Sequence, residues 1–273
     1  MSRTFLVTGA ASGIGARLAQ KLLARGERVC AADINLEAMA ALRAQAATPA
    51  NLLIEKLDVR EPAQWAALMT KLIAAWGTLD VAMNVAGVLR VGYVHEQTPD
   101  DVHFQLDINT KGLIFGTQAA AKAMLPQGRG HIINVCSLAG IAPVPGIALY
   151  SASKFAARGY SLATALELRP RGIHVTAVCP DAVQTPMLDI QKDKPQAALT
   201  FSGPRALTVD EVADAILGPV LNKAPLELTL PASRGWLSKL ASMFPQAALR
   251  LNESLRQKGL QQQRAISEQA GKK

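Results

Sequence analysis

A chain of 273 residues with 49% hydrophobic content has room for one large α/β domain or two small ones, and it is too apolar to be disordered over most of its length. Its formal charge of +8 is local: residues 232–273 hold eight Lys/Arg against two Glu, which leaves the rest nearly neutral. That excludes the cation-covered face of a nucleic-acid-binding domain, and no apolar run reaches the roughly 18 residues of a membrane span.

The first predicted strand, 4–8, runs into the Gly-rich turn TGAASGIG at 8–15, which opens a helix over 13–25. Gly9, Ser12, Gly13 and Gly15 interrupt this apolar start and no basic leader precedes it, so it is not a signal peptide and a cytoplasmic location is expected. A Gly-rich turn between a strand and a helix lets backbone N–H groups approach a pyrophosphate at the helix N-terminus. The second strand, 28–33, ends on Asp33, about 18 residues past Gly15. A carboxylate there can accept both ribose hydroxyls of NAD and would repel the 2′-phosphate of NADP. It could equally cap the next helix, 36–46. Ile34 and Asn35 follow where a cation would favour NADP, so NAD is preferred over NADP.

The alternation continues with strands at 51–59, 79–84, 130–137, 172–179 and 226–230 and helices at 62–76, 99–125, 149–169 and 208–221. Strands that are apolar throughout and separated by helices predict a parallel sheet covered on both faces. The expected fold is therefore α/β: a single doubly wound, Rossmann-type domain with a seven-stranded parallel sheet, spanning 1–231. Residues 186–206 are too long for an ordinary connection and are expected to be a functional lid. Residues 232–273 read as a basic helical extension ending in a frayed Gln- and Lys-rich tail.

Cys30, Cys136 and Cys179 have no CxxC spacing and sit in apolar runs, as reduced small hydrophobes do. His95, His103, His131 and His174 show no ligand spacing, so no metal is expected. The chemistry lies instead in YSASK at 150–154, which sets Tyr150 and Lys154 at i and i+4 on one helix face. A free phenol, with a pKa of about 10, is a poor base at neutral pH, and a cation beside it favours the ionised form.

TGAASGIG at 8–15, NVAG at 84–87, Asn109, Ser137 and YSASK at 150–154 occur in order and together. This set resembles the short-chain dehydrogenase/reductase family in its compact branch, from residue 4 to about 185. The resemblance implies hydride transfer between NAD(H) and a secondary alcohol or ketone. Tyr150 would exchange the proton with the substrate oxygen. Lys154 would hold the nicotinamide ribose and favour the ionised phenol, and Ser137 would align the carbonyl. Asn109 would hold a water linking Lys154 to solvent. Gly9, Ser12, Gly13, Ile14 and Gly15 would cradle the pyrophosphate and Asp33 the ribose, while Asp58 and Val59 would line the adenine. Asn84, Ala86 and Gly87 would lie beside the cofactor, with Pro180, Val183 and Thr185 near the nicotinamide.

The chain departs from the family pattern at Val85, at Asp181 in place of a Gly after Pro180, and at LPASRGW (230–236) in place of a Gly-Gly turn. Asp181 either caps a turn or shapes substrate choice. Apolar lid residues such as Met187, Leu188, Ile190, Leu199 and Phe201 favour an apolar substrate. Two rival functions are a 3-oxoacyl thioester reductase that docks an acidic carrier protein on the basic tail, and a silent NAD-binding scaffold. Asp33 opposes the first and the complete catalytic set opposes the second. Small residues on the two long helices (Ala119, Ala120, Ala121, Ala123, Ala156, Ala157, Ala163, Ala165) would permit close packing, and the resemblance implies a homodimer or homotetramer. Within 233–258, Trp236, Leu237, Leu240, Met243 and Phe244 follow helical spacing among Arg234, Lys239, Arg250, Arg256 and Lys258. Such a segment either packs beside the lid or a neighbouring subunit, or rests on an anionic membrane.

Overall fold

The apolar runs become strands because branched side chains pack well on a pleated surface covered on both sides. In the computed structural model, which describes residues 2–46 and 48–270, they are β1 (Thr4–Thr8), β2 (Arg28–Asp33), β3 (Leu52–Lys56), β4 (Val81–Asn84), β5 (Gly130–Val135), β6 (Ile173–Pro180) and β7 (Glu227–Leu230). Among the described residues these seven strands form one parallel sheet in the order β3-β2-β1-β4-β5-β6-β7, the doubly wound arrangement expected from the sequence. The order reverses between β1 and β4, so the connections leaving those strands diverge and open a crevice at their carboxyl ends.

Side chains of β1 alternate between two cores. Phe5 and Val7 meet Leu18 and Leu22 of α1 (Gly13–Ala24) and Val212 of α8 (Val209–Ala215). Leu6 belongs to the opposite core, with Trp65 and Leu72 of α3 (Pro62–Trp76) and Met124 of α5 (Leu113–Met124). Each such buried side chain contributes about 2 kcal/mol of apolar transfer, which fixes every strand's register.

Several elements are more broken than their periodicity suggests. The predicted strand 51–59 stops at Lys56, and the helix predicted at 36–46 is a 3₁₀ turn followed by α2 (Ala41–Gln45). Asn35, not Asp33, caps this stretch, its Oδ1 accepting from the Ala38 N–H at 3.1 Å. The long helix at 99–125 divides into α4 (Pro99–Leu106), a π-helical stretch Asp107–Gly112, and α5. Pro219, which has no N–H to donate, lies in a second π-helical stretch, Ile216–Val220, between α8 and α9 (Leu221–Lys223). The lid contains α7 (Pro186–Asp189) and a 3₁₀ segment, Pro195–Phe201.

Beyond β7 lie α10 (Ala232–Met243) and α11 (Pro245–Ala270). The helix α11 packs along the lid's 3₁₀ segment, which supplies the tertiary contacts its polar composition lacks, and the end of the tail expected to fray falls on residues 271–273. Lys272 and Lys273 lie outside the described residues. Among the described residues no helix is long and apolar enough to cross a membrane.

Candidate active site

A cavity of about 1100 Å³ occupies the crevice. Its base is the Gly-rich turn. Gly13 has φ +54°, a left-handed conformation, and faces Thr185; at Gly15 a Cβ would stand 2.1 Å from the Gly9 carbonyl oxygen. The turn therefore packs backbone on backbone and leaves the start of α1 bare. No acidic side chain occupies the first turn of that helix, and the Ser12 hydroxyl makes no capping bond. A bare helix N-terminus with this close backbone approach fits a pyrophosphate.

Asp33 stands at the carboxyl end of β2 on the cavity wall. Its Oδ2 accepts from the Ala11 N–H at 3.1 Å and its Oδ1 from the Asn35 N–H at 3.0 Å, so the Gly-rich turn itself orients the carboxylate. Asp58 and Val59 also line the wall, from the connection after β3. Arg60, which the sequence reading passed over, grips the Asp58 carboxylate through Nε (2.9 Å to Oδ1) and Nη2 (2.5 Å to Oδ2). That guanidinium holds the Asp58 carboxyl below the usual range. Ile14, Ala86, Gly87, Pro180, Val183 and Thr185 complete the expected set on the cavity wall.

Asn84 is the exception. Its Nδ2 donates to Asn134 Oδ1 at 2.8 Å and it does not line the cavity, so it braces β4 to β5. Asn134 extends that buried network to Ser161 of α6 (Ala148–Leu168) at 2.8 Å. The neighbouring contact falls to Thr8, whose Oγ1 accepts from the Val85 and Ala86 N–H groups at 3.0 and 3.2 Å.

Tyr150 and Lys154 lie on successive turns of α6, both buried, with Nζ 5.6 Å from the phenol ring centre. Lys154 Nζ donates to the Val135 carbonyl at 3.0 Å, which holds the ammonium inward and leaves it two further N–H groups. Ser137 leaves β5 in extended conformation, and its Oγ accepts from the Ala139 N–H at 3.1 Å. Because that bond uses an oxygen lone pair, the Ser137 proton remains free to donate.

Asn109 sits in the π-helical stretch, as non-regular helix often does at sites. Its amide is engaged at both ends, Oδ1 accepting from the Val88 N–H at 2.8 Å and Nδ2 donating to the Val88 carbonyl at 2.8 Å and to Ser153 Oγ at 3.0 Å. It pins the connection after β4, and its Oδ1 keeps a second lone pair. Asn109 Oδ1 and Lys154 Nζ converge on Gly87, 3.3 and 3.5 Å from where a Cβ would stand.

Asp181 is ion-paired across the cavity rim with Arg234, Nε to Oδ2 at 2.8 Å. Lys239, a partly exposed side chain, pairs with Glu227 at 2.7 Å. Two of the segment's cations are thus ion-paired within the chain, while Trp236, Leu240, Met243 and Phe244 remain exposed.

This fold and this tyrosine–lysine–serine constellation beside a dinucleotide cradle define an oxidoreductase acting on CH–OH groups. The family model for short chain dehydrogenase matches residues 3–196, and the chain belongs to the short-chain dehydrogenase/reductase family, whose members use NAD(P). A 3-alpha-(or 20-beta)-hydroxysteroid dehydrogenase of Mycobacterium tuberculosis is 38% identical over 200 residues, 73% of this chain and 76% of the relative. A short-chain dehydrogenase structure from Streptomyces avermitilis superposes with a TM-score of 0.78 at 26% identity, covering 93% of this chain and 96% of that one. The structure of ElxO with NADP bound gives a TM-score of 0.74 at 25% identity, covering 84% of this chain and 97% of that one.

Proposed function

We propose that the protein transfers a hydride between NAD(H) and a secondary alcohol or ketone with an apolar body, with Tyr150 as acid/base. The observation that carries this is the buried Tyr150–Lys154 pair, set where the Gly-rich cradle meets a cavity walled by Leu89, Val144, Ile147, Met187 and Leu199. Bound NAD(H) would supply or accept the hydride.

In the direction of reduction, Tyr150 gives its phenolic proton to the substrate oxygen. Ser137 donates to the same oxygen and fixes its orientation. The Lys154 ammonium stabilises the negative charge left on the phenol and holds the nicotinamide ribose with the N–H groups not used by Val135. The helix start at Ser12–Gly15 takes the pyrophosphate, and Asp33 takes the ribose hydroxyls.

NAD is the proposed partner because Asp33 faces the ribose end with exposed Ile34 beside it, and Arg60 is committed to Asp58 rather than open to a 2′-phosphate. The hydroxysteroid dehydrogenase relative is named for a bulky apolar alcohol, in keeping with the apolar walls. Docking of an acidic carrier protein is disfavoured because Arg234 and Lys239 are already paired with Asp181 and Glu227. We further propose that the enzyme is a homo-oligomer built on α6.

Replacing Tyr150 by Phe tests the assignment. Turnover of a ketone with NADH should fall by roughly 10³-fold or more, the scale of a lost general acid with its alignment, while NADH affinity stays near wild type. Near-native turnover in that variant would refute it.

A further inference from the structure

Resting on the alcohol/ketone assignment, we propose that α10 and α11 form a fourth wall of the substrate cleft, built to take the long apolar tail of a substrate. In this scheme the Asp181–Arg234 pair positions that wall. The helices lie beyond the segment that matches the family model, which ends at residue 196. Leu237, Ser238 and Ala241 of α10 and Ala248, Asn252 and Leu255 of α11 nevertheless line the same cavity as Tyr150. Leu188, Ile190 and Leu199 of the lid line it too.

The wall is fastened at both ends. Arg234 ties α10 to Asp181, which immediately follows β6, and Lys239 ties it to Glu227 of β7. Gly235 lies so close to β7 that a Cβ would stand 2.0 Å from Thr229 Oγ1. At the far end, a Cβ at Gly259 would stand 1.9 Å from the Ala198 carbonyl oxygen. Gln263 Nε2 donates to the Gln191 and Lys194 carbonyls, each at 3.0 Å. The lid's backbone is therefore partly satisfied by the C-terminal helix, and lid and wall form one unit. Two of the three departures from the family pattern, Asp181 and the 230–236 segment, meet in this ion pair.

The chemistry of the enclosed space selects the ligand. Beyond the Tyr150–Ser137 pair the C-terminal wall offers Leu237, Ala241, Ala248 and Leu255, with Asn252 and Ser238 as its polar points. A short ketone reaches the catalytic pair without touching them. A ketone or alcohol with a long unbranched or polycyclic apolar body reaches both.

The test compares acetone with a long-tailed straight-chain methyl ketone, on full-length wild type, Ala241→Trp, Arg234→Gln and Arg234→Lys. Turnover is followed with NADH, and ketone binding is measured separately by calorimetry. Ala241→Trp, which fills the wall's apolar space, should weaken long-ketone binding and raise its KM at least tenfold. It should leave acetone kcat/KM and NADH affinity within about twofold. Arg234→Gln should act in the same selective way, and Arg234→Lys, which keeps the ion pair, should restore most of the loss. Equal effects on both ketones, or none on either, would overturn the proposal. Failure of wild type to reduce any ketone, with long-ketone binding still abolished by Ala241→Trp, would refute the alcohol/ketone assignment while supporting the apolar wall.

Discussion

At Asp33 one residue's environment bears on the proposed preference for NAD. Its two oxygens accept from Ala11 and Asn35, so the carboxylate is pre-oriented before any ribose arrives. Pre-orientation removes side-chain entropy cost from binding and gives the charge a fixed place from which to repel a 2′-phosphate. Asp33→Ala combined with Ile34→Arg should move kcat/KM toward NADPH by roughly 10²-fold, equivalent to about 3 kcal/mol. Wild type already faster with NADPH than with NADH would contradict this assignment. Gly13, Asp33, Tyr150 and Lys154, which the fold brings to one cavity, were legible in the sequence because the proposed chemistry needs each residue type at that spacing. Asn84 was not, since an asparagine inside a strand reads alike whether it faces a ligand or a second asparagine. Arg60 escaped notice and Arg234 was read only as a surface cation, because their partners, Asp58 and Asp181, define them only in space.

At the scale of elements, the boundaries of β1, β2 and α3 follow the hydrophobic period, which strong burial enforces. The π-helical stretch at Asp107–Gly112 did not show in that period, because it depends on bonds to other elements: Asn109 to Val88 and Thr110 to the Ser153 carbonyl. The same kind of contact produces a pH dependence at the β5–β6 pairing. There His131 Nε2 lies 2.9 Å from Thr176 Oγ1, and that hydroxyl donates to the Pro225 carbonyl at 2.6 Å. With its proton so used, Thr176 accepts from His131, which is held neutral with Nε2 protonated. Burial, with His174 beside it, pushes the imidazole down to about 4. The unfolded chain binds this proton below about pH 6.5 and the native state only below about pH 4, so stability falls as pH drops through that window. By about pH 5 the loss from this one group should be roughly 2 kcal/mol. Urea midpoints measured at about pH 7.5 and about pH 5 should converge in His131→Gln relative to wild type. An unchanged pH difference in the variant would place the acid sensitivity elsewhere.

At the scale of the whole molecule, α6 serves the cavity on one face, and the proposed assembly uses the other. Its inner face carries Tyr150, Lys154 and Ser161, and its outer face exposes Ala152, Phe155, Ala156, Gly159, Ala163 and Leu166 in helical register. Only part of the small-residue set expected at an interface points outward: Ala120, Ala157 and Ala165 are buried in the chain's own core. The outward remainder has small residues at its centre, with Phe155 and Leu166 near its ends. Such a face lets a second helix backbone approach closely, and a two-fold axis across it would set the same residues of both copies against each other. A stable interface of this type buries about 800 Å² per partner, more than one helix supplies, so α5 and its flanks must contribute. A cation at the centre of a two-fold contact meets its own copy, and the repulsion cannot relax without parting the helices. Ala163→Arg should therefore convert a dimer or tetramer at micromolar concentration into a smaller species in sedimentation velocity. Because Tyr150 and Lys154 ride on the same helix, thermal stability and turnover should fall with the change in mass. A wild-type protein that sediments as a monomer at that concentration would exclude assembly through this face.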